Sequence, residues 1–123
     1  MMRAALIALL LAGGTGAAAQ QKVNSGPGAM LRGLDKVSGQ TVDIELQTGQ
    51  TEAVFGLDVA LGDCRYPVDN PTGDAFAYLT IWETGKADQL FDGWMIATSP
   101  ALNALDHARY DVWVIRCITP SAD

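Results

Sequence analysis

The feature that most constrains this chain is a period-two alternation of apolar and polar residues. Between Thr41 and Gln47, the apolar side chains Val42, Ile44 and Leu46 alternate with polar ones. This alternation predicts a strand with one face on a core. No long helical periodicity is present, and turn-forming residues separate the apolar runs. We therefore expect a mainly β fold: a small antiparallel sandwich or partly open barrel of roughly five to seven strands, with one short helical turn.

The following run keeps a single register over residues 53–61, so that Ala53, Phe55, Leu57, Val59 and Leu61 share a face. Gly56 inside this run predicts a bulge or bend that splits one long strand in two. Without a further break, Cys64 would face away from Leu61. We expect Gly62 to shift the register and turn Cys64 toward the core.

Two later segments are also informative. Phe76 to Glu83 is apolar on both faces, which predicts a strand that is buried on both sides or central in a sheet. Ser99 and Pro100 favour the start of the helical turn, with Ser99 as its cap. On the last predicted strand, Tyr110 to Ile118, Trp113 shares a face with Cys117 in unbroken alternation and is predicted to belong to the core.

The N-terminus has the order of a secretory signal peptide: a positive start at Arg3, a short apolar run, and small residues ending at Ala19. Cleavage after Ala19 would place the protein in the periplasm. The predicted organisation is a signal peptide (1–19), a flexible lead-in (20–29), one β-domain (30–119) and a short tail (120–123). About 100 residues remain, which suits one small domain.

The cysteine pair Cys64 and Cys117 predicts a disulfide in an exported protein. The bridge would close a loop of roughly 50 residues and restrict the unfolded chain by about 4 kcal/mol in the chain-entropy model. The alternative interpretation of the two cysteines is a zinc site. His107 is the only histidine and no CxxC spacing exists, so the ligand set is short. We expect no metal and no cofactor.

The net charge of −6 limits the classes of partner. Nucleic acid backbones and anionic lipid surfaces attract basic proteins, so we expect neither nucleic acid binding nor membrane insertion after signal cleavage. An acidic surface favours solubility and a basic partner.

Three stretches resemble a known bacterial family: LRGLDKVSG at 31–39, GWMIATSPALNALDH at 93–107 and YDVWVIRC at 110–117. They are similar to domain-of-unknown-function family 2155, and the resemblance spans about residues 31–118. It implies a small exported domain of Gram-negative bacteria with two matching cysteines, no established activity and no catalytic residues to transfer. The family pattern has a proline after the histidine, where this chain has Ala108, so the chain direction after His107 is expected to be less constrained.

Three chemical alternatives stay open. Ser99, Asp106 and His107 would form a hydrolytic triad only if they lay in one hydrogen-bonded line. Asp43 and Glu45 share a strand face about 7 Å apart, near the separation that glycosidases use, although a solvated face explains them equally. Oxygen-rich residues 69–74 would suit calcium, but they lack EF-hand spacing and also suit a turn.

Aromatic side chains suggest a further alternative. Exposed, they would bind a small ligand or a glycan by stacking, whereas buried they would form the core. They are Tyr78, Trp82, Trp94, Tyr110 and Trp113.

The interpretation that best fits the single histidine and the absence of a catalytic motif is a non-catalytic interaction or structural module of the cell envelope, which recognises another envelope protein. Its contact surface is predicted in the irregular segment before the last strand, because such segments on a rigid frame commonly carry recognition. The predicted binding residues are Trp94, Leu102, Asn103, His107 and Tyr110. The segment would equally suit a plug for one end of the β-core.

Overall fold

The structure, a computed structural model, describes residues 22–120 of the 123-residue chain. Within that range, the chain forms eight strands in two antiparallel sheets, and one 3-10 turn at Pro100–Leu102 is the helical element. The strands are β1 (Val23–Ser25), β2 (Gly28–Asp35), β3 (Thr41–Gln47), β4 (Thr51–Val54), β5 (Leu57–Pro67), β6 (Phe76–Glu83), β7 (Gln89–Ile96) and β8 (Tyr110–Ile118). The predicted mainly β class is confirmed.

The larger sheet has the order β1-β5-β6-β7, with β4 pairing beside β1 along the same edge of β5. The smaller sheet has the order β3-β2-β8. The predicted central position of β6 is confirmed, since it lies between β5 and β7 and buries Ala77, Leu79 and Ile81 completely. As a result, β7 and β8 are edge strands, and the segment that joins them lies on the open side of the sandwich.

The core lies between the two sheets. The register shift predicted on β5 is present and turns Cys64 toward this core. Leu57, Val59 and Leu61 alternate inward, and the pairing with β6 shifts between Leu61 and Asp63. The extra residue, Gly62, returns Cys64 to the inner face, where it is fully buried.

The predicted disulfide is present between Cys64 and Cys117. It connects β5 of the larger sheet to β8 of the smaller one across a sequence separation of 53 residues, with the two Cα atoms 5.6 Å apart. The bridge therefore fastens one sheet to the other at the core.

The expectation for residues 53–61 needs a correction. The predicted break at Gly56 is present, but Phe55 and Gly56 form a two-residue turn rather than a bulge or bend, so β4 and β5 are a hairpin with Val54 opposite Leu57. Reversal of the chain places Val54 in the core in place of Ala53, which is exposed. Phe55 has a φ of 55°, a left-handed conformation that is uncommon for an aromatic residue.

The prediction that Trp113 belongs to the core was wrong. Val112 and Val114 are buried, whereas Trp113 is partly exposed and only packs against the core. The pairing of β8 with β2 shifts at Ile115, since Met30 lies opposite Arg116 and Leu31 opposite Val114. One extra residue in a strand reverses the alternation, which places Cys117 on the valine face.

Two terminal predictions concern the start and end of the chain. Strand structure begins inside the segment predicted as a flexible lead-in, because Val23–Ser25 pairs with β5 and β2 starts at Gly28. The predicted signal peptide and residues 121–123 of the tail lie outside the described residues.

Candidate functional site

Residues 97–109 connect β7 to β8 and contain three of the five predicted binding residues. The 3-10 turn begins with Pro100 as expected, but the side chain of Ser99 makes no capping hydrogen bond. Leu105 inserts into the core and is 5% exposed. The segment thus covers the open side of the sandwich and is held there by an apolar anchor.

His107 is bonded through both ring nitrogens. Its Nδ1 accepts the backbone N–H groups of Arg109 at 3.0 Å and Tyr110 at 3.1 Å. This pattern assigns the ring proton to Nε2, which lies 3.1 Å from Oε1 of Glu83 and donates to it. The imidazole therefore ties the segment to the end of β6, and neither nitrogen is left for a substrate.

Glu83 joins this contact to a second cation. Its Oε2 lies 2.9 Å from Nζ of Lys86. The hydrogen bond from Lys86, followed by that from His107, holds the pKa of Glu83 below its usual value. At neutral pH the carboxylate is therefore charged and binds both the β6–β7 turn and the connecting segment.

Tyr110 lies at the centre of a ring stack. It stacks on Phe55 with ring centroids 5.9 Å apart and on His107 at 5.3 Å. Arg109 lies over the Tyr110 ring and also bonds both carboxylate oxygens of the buried Asp35. This hydrogen-bonded pair, together with backbone N–H donors, lowers the pKa of Asp35.

Trp94 and Asn103 are in direct contact. Nδ2 of Asn103 donates to the backbone carbonyl of Trp94 at 2.9 Å, which satisfies a carbonyl of edge strand β7. The Trp94 side chain lies on the outer face of the larger sheet, edge-on to Tyr78 and under the guanidinium of Arg65, 4.8 Å from the ring centroid. One face of this indole is thus covered by Arg65.

The structure therefore brings the predicted residues together as two pairs, Trp94 with Asn103 and His107 with Tyr110. Leu102 takes part in neither pair and is 75% exposed.

A groove of about 480 Å³ lies between the edge strands, and Ala101, the sequence neighbour of Leu102, is one of its lining residues. We call it the edge groove. Its lining is apolar apart from one carboxylate. It is lined by Met95 and Ile96 of β7, by Pro100, Ala101 and Ala104 of the connecting segment, and by Asp111, Val112 and Trp113 of β8.

A smaller hollow of about 280 Å³ lies on the outer face of the larger sheet and includes Val23, Phe76 and Trp94. Arg65 forms one of its walls, and the bond from Arg65 Nε to Asp63 at 2.9 Å fixes that side chain. This hollow is the place where the glycan alternative would apply, but the covered face of Trp94 leaves less ring available for stacking.

The catalytic alternatives find little support in the geometry. Among the described residues, His107 bonds to Glu83 and to backbone groups rather than to Ser99 or Asp106. Asp43 is held by Arg32 in two hydrogen bonds of 2.7 and 3.0 Å, which lower its pKa. Glu45 is exposed on the same strand.

The oxygen-rich loop is likewise explained by its own hydrogen bonds. Asp74 accepts bonds from the backbone of Ala75 and from Thr98, so it fastens the loop to the end of β7. Between residues 22 and 120, no group of three or more His, Cys, Asp or Glu side chains is arranged to hold a metal ion.

Sequence reasoning missed Glu83, Asp35 and Asp111 as residues that organise this side of the molecule. Asp35 had a signal, because an aspartate at the end of a strand and before a glycine turn often accepts local N–H groups. It does so here with Val37 and Ser38. Glu83 had none, since its partner His107 is 24 residues away in sequence.

Comparison with known proteins identifies the family of this chain. Residues 29–117 match the model of a family described as an uncharacterized protein conserved in bacteria, DUF2155. The chain belongs to the DUF2155 family. The resemblance expected from the sequence motifs is thus confirmed.

A curated relative, "Uncharacterized protein RP359" of Rickettsia prowazekii (strain Madrid E), is 27% identical over 88 residues. The match covers 68% of this chain and 56% of the relative, so the DUF2155 chain spans little more than half of that protein. No solved structure matches the chain. Between residues 22 and 120, no helix has the length and apolar character needed to cross a membrane.

Proposed function

We propose that this DUF2155 protein is a non-catalytic interaction module of the bacterial cell envelope, which recognises another envelope protein through the side of the sandwich where β7 and β8 are joined. The observation that carries the proposal is the contrast on that side. The single histidine forms structural hydrogen bonds through both ring nitrogens, while Leu102 is exposed and its sequence neighbour Ala101 lines an apolar groove. A surface of this kind favours binding over proton transfer.

The predicted contact residues take two roles in this proposal. Leu102 contributes directly to the contact surface, because its side chain is 75% exposed. Asn103 and His107 position the segment, since both hydrogen-bond to neighbouring elements. Trp94 and Tyr110 provide the strand ends on which the segment is held.

The proposed location is the periplasm, after removal of the signal peptide behind Ala19. The Cys64–Cys117 disulfide supports this location, because such bridges persist in oxidising compartments. The intact mass of protein purified from the envelope tests both points. We expect the mass of a chain that begins at Gln20, with an increase of about 2 Da on reduction. A retained N-terminus or free thiols before reduction would contradict the proposed location.

Photo-crosslinking in living cells tests the interaction itself. A benzophenone amino acid in place of Leu102 is expected to give a discrete adduct with another envelope protein. The matched control replaces Val42, an exposed apolar residue on β3, two strands away from β8. Equal labelling at both positions, or none at position 102, would contradict the proposal.

A further inference from the structure

The chemistry of the edge groove is defined by one charged side chain on an apolar surface. Asp111 is the only charged residue among those that line it. Pro100, Ala101 and Ala104 form the apolar wall on the side of the connecting segment. A ligand that fits both parts has an aliphatic portion and a positive group.

Asp111 is oriented for such a group by its own backbone. Its Oδ1 accepts the N–H of Val112 at 2.9 Å. Within residues 22–120, this is the one hydrogen bond that the Asp111 side chain makes. The carboxylate is therefore fixed in direction while Oδ2 keeps its accepting capacity. Trp113 lies two residues further along the strand, on the same face and about 7 Å away by strand rise.

Carboxylates and indole rings both attract cations, and a positive group between them would contact each within about 4–6 Å. In the described part of the chain, arginines lie over Trp94 and Tyr110, and no such contact involves Trp113. The neighbouring cations Arg32 and Arg109 are already paired with Asp43 and Asp35. The protein's own arginines at these positions therefore do not supply the cation.

The backbone of the strand edges is partly closed to pairing. His107 accepts the N–H of Tyr110, Asp111 accepts that of Val112, and Asn103 donates to the carbonyl of Trp94. Groups that already have side-chain partners are poor templates for an added strand. Recognition at this groove is thus directed to the side chains of a partner.

We propose that the edge groove binds a lysine or arginine side chain of the partner protein. The aliphatic stem packs on the wall formed by Pro100, Ala101 and Ala104, and the cationic head lies between Asp111 and Trp113. The net charge of −6 favours a basic partner over the whole surface. This inference rests on the proposed function, because it names the chemistry by which the partner is recognised.

The test uses the purified exported chain and nuclear magnetic resonance of backbone and indole N–H groups. The probe is the tripeptide Leu-Lys-Leu with both ends blocked, and the matched probe carries norleucine in place of lysine. We expect saturable shifts at Asp111, Val112 and the indole of Trp113 with the lysine peptide, and at least about tenfold weaker binding of the norleucine peptide.

Two variants separate the carboxylate from general charge. Asp111→Asn keeps an oxygen that accepts the Val112 N–H but removes the negative charge, so we expect at least a tenfold loss of affinity with the fold intact. Asp88→Asn removes an equal charge from the exposed β6–β7 turn, and affinity should not change.

Three results would overturn the inference: equal binding of both peptides, shifts that map elsewhere, or no saturation up to about 10 mM peptide. Shifts of the groove signals with protein concentration alone would also overturn it, since they would identify a second copy as the occupant. In each case a Leu102 adduct with an envelope protein would still support the proposed function, so the two failures are distinguishable.

Discussion

At the scale of single residues, several charged and aromatic side chains of this DUF2155 protein hold neighbouring elements together. His107 combines a ring stack on Tyr110 with bonds to Glu83 and to two backbone N–H groups. Its ring is only 14% exposed. A histidine with so many fixed partners defines the path of the chain before the last strand.

The ion pairs of Glu83 predict a specific dependence of stability on pH. Because the folded-state pKa of Glu83 is lowered, its contribution is fully present above the ordinary glutamate pKa of 4.5 and is lost as the pH falls through the lower folded value. We expect the thermal midpoint to fall on acidification below about pH 4.5, and Glu83→Gln to reduce that acid-side loss. Glu52→Gln, at an exposed glutamate on β4, is the control. Identical acid slopes for wild type and Glu83→Gln would refute the assignment.

At the scale of elements, the connecting segment acts as a cover for the open side of the sandwich. An edge strand exposes backbone groups to unwanted pairing, and proteins commonly cover such edges. Here Leu105 anchors the cover in the core, while Asn103 satisfies a carbonyl of β7. Of the two leucines in the segment, Leu105 is buried and Leu102 faces the solvent. One leucine therefore anchors the segment, and the other belongs to its exposed surface.

Two leucines of this segment offer a matched pair of substitutions. Leu105→Ala removes a buried side chain and should lower the free energy of unfolding by about 2–5 kcal/mol. Leu102→Ala removes an exposed one and should change it by less than about 0.5 kcal/mol. Urea denaturation followed by circular dichroism measures both values. A similar loss for the two variants would show that the segment is not anchored at Leu105.

At the scale of the whole molecule, the disulfide fastens the two sheets. It joins β5 to β8 through two cysteines that are 53 residues apart in sequence. Both cysteines are buried among core residues, so the bridge also fills space between the sheets. A small domain with a limited core depends on such a link more than a large one does.

Replacing both cysteines with alanine should therefore cost about 2–5 kcal/mol of the free energy of unfolding. Denaturant titration of the double variant beside the oxidised wild type measures the difference. A second comparison needs no change of sequence: the free energy of unfolding of the wild type is measured before and after its disulfide is reduced. A loss below about 1 kcal/mol would contradict a stabilising role for the bridge.

Much of this architecture follows from local pattern. Alternation predicted β3, the double-sided apolar run predicted a central β6, and the position of Gly62 predicted the shift that buries Cys64. Each of these signals is contained within a few neighbouring residues. The disulfide was also predicted, although its cysteines are 53 residues apart, because the number of cysteines and the predicted export signal indicated it.

The remaining features depend on partners that are distant in sequence. The hairpin at Phe55 and Gly56 is stabilised by the stack on Tyr110, and the bulge at Ile115 follows from the register that β8 adopts against β2. Gly56 indicated a bulge or bend but not a reversal of the chain, and the bulge at Ile115 left no local mark, so alternation alone gave the wrong direction after Phe55 and a buried Trp113. The edge groove likewise arises where β7, β8 and their connection meet. Local residue chemistry specifies which segments become strands, but register and surface shape depend on long-range packing, where one inserted residue reverses every side chain that follows.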